Sequence, residues 1–371
     1  MSKVCFLCAT PFHVLVASAI VCSKKLNADI YIFDDFSECD SLIERISNTK
    51  LFNNVYKINN SIRKLEKSNL FNRVRMYIKV LSMYIFIDHY GMKILRGNVY
   101  YSSLFIFHRD NSYVKTICMF LKKHNSGISI CYYEDGIGNY CNRNIYNDKG
   151  ISKLFEICHL KSVITLDDLV IYLFSPEFYY LYFGDNLPIK NVNKIINLNK
   201  LPELTSIVDN LYGNHNAESL TKLVYLDTVR QEDLNNEGIN LLDDILQQIS
   251  TIDSSLIIKS HPREKDRNSH FKYLSADAPI EYYCYKNDLS KHILITIFSS
   301  AVFSPKLLFD QEPYIIFLYD ILFDYLKDHS IDRNMMYNQL KVLYKNGSKI
   351  IVPKTVDELN NVLLKLLCNN I

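Results

Sequence analysis

The sequence predicts two doubly wound α/β lobes facing a cleft. Three observations predict it. The 371 residues exceed one ordinary core and suit two domains of about 100–200 residues each. Apolar runs of strand length alternate with stretches of helical period, the mark of parallel sheets covered by helices. That alternation weakens at 183–205, FGDNLPIKNVNKIINLNKLPELT, which is rich in Asn, Pro and Lys. The reading is an N-terminal lobe over 1–190, a linker over 191–205 and a C-terminal lobe over 206–371.

Taken in order, KVCFLCA and ADIYIFDD read as strands with a helix between them. Thr10-Pro11 divides the apolar run Val4–Cys22, because the residue before Pro leaves the helical region and Pro suits a first helical turn. A membrane span is therefore not expected there. With one basic residue ahead of the run and no small-residue cleavage site, neither is a signal peptide. NVYKI reads as a third strand, 62–96 as helical, GNVYYSSLFIF as strand, 112–124 as helix and GISICYYEDG as strand. In the second lobe KLVYLDT is a strand, 237–250 a helix and SSLIIKSHPRE a strand ending in a polar turn. IEYYCY reads as a short strand, HILITIFSSA as a strand running into a helix and EPYIIFLY as a strand. KIIVPKT leads to a terminal helix over 355–369 with Thr355 as its N-cap.

Composition narrows the function. Hydrophobic residues are 48% and charged residues 22%, as in soluble globular chains. Lys+Arg number 42 against 40 Asp+Glu, so no nucleic-acid partner is expected. Ten cysteines scattered through apolar runs fit reduced thiols of a cytoplasmic protein. Cys5 and Cys8 form a C-x-x-C without a second pair at zinc spacing. Residues 57–79 carry seven Lys/Arg and one acid among apolar side chains. They read as a solvated helix, or as a face that sits on anionic lipid at the inner side of the cytoplasmic membrane. Phosphate-loop, nucleophile-elbow and zincin motifs are missing from the sequence.

In open parallel sheets ligands bind beyond the carboxyl ends of the strands, and four polar clusters fall at such ends. Glu134-Asp135-Gly136 follows ISICYY; Gly136 and Gly138 permit a sharp turn that leaves the acids at the strand tip, suited to taking a proton from a hydroxyl. A turn with a solvated acid is the plainer alternative. Ser260-His261-Pro262-Arg263 follows SSLIIK; His261 and Arg263 suit a phosphate leaving group, or His261 is a packed loop residue. Ser299 and Ser300 follow HILITI as an anion site or a helix cap. Asp227 follows KLVYL, with Glu232 and Asp233 just beyond, as a second acid or a solvated loop. Asp34-Asp35 and Asp167-Asp168 lack supporting metal ligands and read as surface loops.

The set YYEDGIGN, KSHPRE and TIFSSA, in that order across two α/β lobes, resembles the bacterial sialyltransferases. The nearest resemblance is to glycosyltransferase family 52, the lipooligosaccharide sialyltransferases, whose acidic motif runs on as D-G-x-G-N, as Asp135–Asn139 does here. The resemblance implies a GT-B fold and an inverting, metal-independent transfer of sialic acid. The implied donor is CMP-sialic acid and the acceptor a galactose-terminated bacterial surface glycan: lipooligosaccharide, O-antigen or capsule. No cofactor or metal is implied. It further implies that His261 contacts the CMP phosphate and serves as general acid. Ser299 and Ser300 bind phosphate, and Glu281, in APIEYY, reads the cytidine. Pro262, Arg263 and Gly136 belong to the donor-binding loops. The general base lies in Glu134-Asp135, or is Asp227 or Asp233. A transferase of the same pattern with a UDP-hexose donor, and a non-catalytic glycan- or nucleotide-binding protein on this scaffold, are the alternatives. A sugar-nucleotide epimerase fits the motifs less well.

Overall fold

The structure is a computed structural model; it describes residues 2–368 apart from 37, 63–69, 98–99, 109–110, 142–165, 214–219, 229, 262–267, 276–277 and 328–332. Contacts divide the chain into two units, Met1–Leu211 and Tyr212–Ile371.

The first unit is built on a seven-stranded sheet. Its strands are β1 (Lys3–Cys8), β2 (Asn27–Phe33), β3 (Asn54–Ile58), β4 (Ser103–Ile106), β5 (Ser129–Tyr133), β6 (Leu169–Leu173) and β7 (Asn191–Lys194). They lie in the order β3-β2-β1-β4-β5-β6-β7, and every pairing is parallel. The second unit holds β8 (Leu223–Leu226), β9 (Ile257–Lys259), β10 (Lys272–Tyr273), β11 (Ile293–Thr296), β12 (Tyr314–Phe317) and β13 (Ile350–Ile351). Their order is β10-β9-β8-β11-β12-β13, again all parallel. Both are doubly wound sheets, with the chain reversing its direction of travel between β1 and β4 and between β8 and β11. Those reversals open crevices at the carboxyl ends of the strands.

Central strands read as unbroken apolar runs because helices cover both faces of a parallel sheet. All four residues of β8 and of β11 are buried, as are five of six in β1. Helix α1 (Pro11–Lys24) starts as expected: Thr10 is extended and its hydroxyl accepts the His13 N–H at 3.1 Å. Further on come α2 (Leu70–Ile85), α3 (Ile87–Ile94) and α4 (Ser112–His124). The second unit adds α5 (Asn236–Ile252), capped by Asn235, α6 (Ile280–Lys286), α7 (Ser304–Phe309) and α8 (Val356–Cys368). Thr355 caps α8, accepting the Glu358 N–H at 3.2 Å.

Two expectations are corrected. Asn191–Lys194, set in the linker, is the edge strand β7, and 206–211 belongs to the first unit; the Asn- and Lys-rich composition is that of an exposed edge. IEYYCY is not a strand but α6: Pro279 opens it, and a short apolar run carries no period that separates strand from helix.

The nine cysteines among the described residues are thiols, seven of them buried. Burial pushes the Cys8 thiol up to about 12 and raises Cys5 as well. These are inert core thiols, which removes the C-x-x-C as a redox or metal motif. No described helix is long and apolar enough to cross a membrane.

Candidate active site

At the carboxyl end of β5 the two acids part company. The Glu134 side chain turns into the core and is fully buried. Its Oε2 accepts the Tyr140 hydroxyl and the Phe174 N–H, the latter at 2.8 Å, and Tyr140 Oη accepts the Ser175 N–H at 3.2 Å. Burial, then the neighbouring Glu134 charge, holds the Tyr140 phenol far above its ordinary range, so Tyr140 remains a donor. Glu134 thus ties the β5 turn to the end of β6, where the expectation had it at the strand tip.

Asp135 is the acid that faces outward, with 36% of its side chain exposed. Gly136 adopts a φ of +96°, which favours glycine. Asn139 folds back so that its Oδ1 accepts the Asp135 N–H at 2.5 Å. The run Asp135–Asn139 is therefore a self-closing turn that presents one carboxylate.

His13 meets that carboxylate from 122 residues away in the chain. Pro11 and the Thr10 cap fix the first turn of α1 just beyond β1, and the imidazole stacks on Phe107 at 4.7 Å and abuts the edge of Tyr133. Its Nδ1 accepts the Ala9 N–H at 3.1 Å, which leaves Nε2 to carry the proton toward Asp135 Oδ1. Only 2% of His13 is exposed, so it is placed to hold Asp135 and not to meet a substrate. One carboxylate oxygen is fixed by an imidazole while the group stays open to solvent, an arrangement suited to proton acceptance from a hydroxyl.

In the second unit the polar loops also gather at strand ends. Asp227 follows β8 but is buried; its two oxygens accept Arg230 Nε at 3.1 and 3.0 Å, and Oδ1 accepts the Thr228 N–H. Arg230 Nη1 continues to Asp243 at 2.7 Å. Asp227 is thus held in a buried ion pair that engages both of its oxygens. Asp233 is half-buried, and its carbonyl accepts the Lys327 N–H. At the end of β11, Thr296 donates to Leu226 O at 2.9 Å and accepts the Ser299 N–H at 3.0 Å, tying the ends of β8 and β11 together. Ser299 is an N-cap, its Oγ accepting the Ala301 N–H at 3.4 Å, whereas Ser300 is exposed. His261 follows β9, half-buried; Pro262 and Arg263 lie outside the described residues. Glu281 on α6 is buried, and its Oε1 accepts the Ser304 hydroxyl of α7 at 2.6 Å. Burial holds the Glu281 carboxyl above its ordinary range, with Ser304 and the Lys259 charge acting against it. Lys259, last residue of β9, is itself buried, with Nζ 3.4 Å from Ser260 O.

Of the other acids, Asp34 and Asp35 accept from the N–H and amide of Asn60, and exposed Asp167 pairs with Lys190 at 3.6 Å. Among the described residues no three His, Cys, Asp or Glu side chains are grouped to hold a metal ion.

Two parallel, doubly wound units of this topology define the GT-B class of fold, and comparison with solved structures agrees. The Methanocaldococcus jannaschii UDP-GlcNAc 2-epimerase, solved with UDP-GlcNAc and UDP, superposes with a TM-score of 0.50 at 16% identity, over 99% of this chain and 92% of that one. TcCGT1 in complex with UDP gives 0.53 at 10% identity, over 100% and 92%. LpCGTa, also with UDP, gives 0.51 at 10%, over 99% and 90%. No curated protein sequence matches. The family description "Alpha-2,8-polysialyltransferase (POLYST)" matches residues 5–315. The chain belongs to the alpha-2,8-polysialyltransferase family, a bacterial sialyltransferase family, and it is a glycosyltransferase. The resemblance of the motifs to family 52 agrees with this match at the level of bacterial sialyltransferases.

Proposed function

We propose that this protein transfers sialic acid from CMP-sialic acid, with inversion and without a metal, to the non-reducing end of a bacterial surface glycan. The family match over residues 5–315 carries the reading. Its name points to the 8-hydroxyl of a terminal sialic acid as nucleophile, in place of the galactose end expected from family 52.

Breaking the bond between sialic acid and phosphate builds positive charge on the sugar and negative charge on CMP. Asp135, held by His13, takes the proton of the attacking hydroxyl, and its negative charge favours the oxocarbenium-like centre. On the leaving side His261, Ser300 and the N–H groups after β11 answer the phosphate charge. Glu281, its carboxyl raised above the ordinary range by burial and aimed by Ser304, is the group assigned to the cytosine. Glu134 and Asp227 hold their loops in shape.

The test is purified protein with CMP-sialic acid and either an α-2,8-disialyl acceptor or a lactoside, in EDTA, scored for CMP release. Turnover on the sialyl acceptor is expected. Turnover only on the lactoside restores the galactose-ended acceptor, and turnover only with UDP-hexoses replaces the donor. No turnover with any donor favours a non-catalytic binding protein.

A further inference from the structure

Helix α2 buries Val80 and Met83 and turns an apolar stripe the other way. Phe71, Val74, Ile78, Leu81 and Ile85 are all exposed, Phe71 by 69% and Ile78 by 62%. At 3.6 residues per turn they fall within an arc of about 80°, opposite the buried pair. The stripe runs for about 20 Å at 1.5 Å per residue. A soluble helix normally places polar residues on this face. Its polar residues are one-sided in charge: Leu70–Ile85 holds Arg73, Arg75 and Lys79 and no acid. Over 57–79 seven Lys/Arg stand against Glu66 alone.

We propose that this face of α2 docks on an anionic lipid bilayer, lying in the headgroup plane with the stripe immersed. Aromatic and aliphatic side chains on one line with basic residues along the helix are what such a surface selects. Each cation near an anionic membrane adds to the attraction. A second copy of the chain is a poorer occupant, since it brings a helix with the same basic residues and no acid against this one. The docking is independent of the reading of the transfer reaction, because it is measured without turnover.

The chain has no tryptophan, so Ile78→Trp places a single reporter in the stripe. The expected result is a blue-shifted emission with phosphatidylglycerol–phosphatidylcholine vesicles, quenched by brominated lipid, and little change with phosphatidylcholine alone. Val74→Glu/Ile78→Glu/Leu81→Glu is expected to cut co-sedimentation with the anionic vesicles on the order of tenfold or more. CMP release on a soluble acceptor should stay unchanged. No blue shift with anionic vesicles overturns the proposal. So does a blue shift that grows with protein concentration without lipid, which assigns the stripe to a second copy.

Discussion

Asp135 and Glu134 are adjacent in sequence and opposite in circumstance. One is open and held by an imidazole, the other sealed beneath Tyr140 and the Phe174 N–H. Asp135→Asn keeps the shape and loses the proton acceptor, so kcat should fall on the order of 100-fold or more. Glu134→Gln keeps an acceptor for those donors. It should cost about 1–3 kcal/mol of stability, read as a lower denaturant midpoint, and leave kcat within about tenfold. The reverse pattern would make Glu134 the base and sink the assignment made here. The pair of acids was legible from two adjacent carboxylates followed by Gly136 and Gly138. Their division was not, because it rests on Tyr140, Phe174 and His13, and His13 lies 122 residues away.

Elements were most legible where a local rule acts alone. Thr10-Pro11 and Thr355 start helices by capping, and the apolar runs of β1, β8 and β11, each followed by a polar turn, are covered strands as expected. Composition misled where two rules compete: the tyrosines of α6 favour strand, while Pro279 and packing against α7 make helix. Glycine shows the same limit. Gly91 lies inside α3 and is buried where that helix crosses α4; a Cβ there would sit 2.1 Å from the Phe120 ring. The sequence pattern offers no hint of this approach. Gly91→Ala would ordinarily favour a helix, yet here it should destabilise by about 1–3 kcal/mol through overpacking. Thermal unfolding checks this, and a gain in stability would show that α3 and α4 are not in close contact.

On the scale of the whole molecule, each unit has its own sheet and its own buried core. Units of that kind unfold in steps of their own unless strongly coupled. The donor-binding residues assigned here all lie in Tyr212–Ile371 except Gly136. CMP added to the full chain at about 100 times its Kd should stabilise one calorimetric step by about 2.7 kcal/mol and leave the other in place. Limited proteolysis identifies which step belongs to which unit. A shift confined to the step of Met1–Leu211 would move nucleotide recognition to the other sheet.

β1 precedes both of its neighbours in the chain and lies in the interior of its sheet, flanked by β2 on one side and β4 on the other. β4 begins at Ser103, some seventy residues after β2 ends at Phe33. At about 5–20 residues per second a ribosome needs roughly 4–15 s to deliver it. Throughout that interval the nascent strand KVCFLC has a bare hydrogen-bonding edge and two thiols that the finished protein seals away. Vulnerability to aggregation and to oxidation is therefore concentrated in biosynthesis, before the sheet closes.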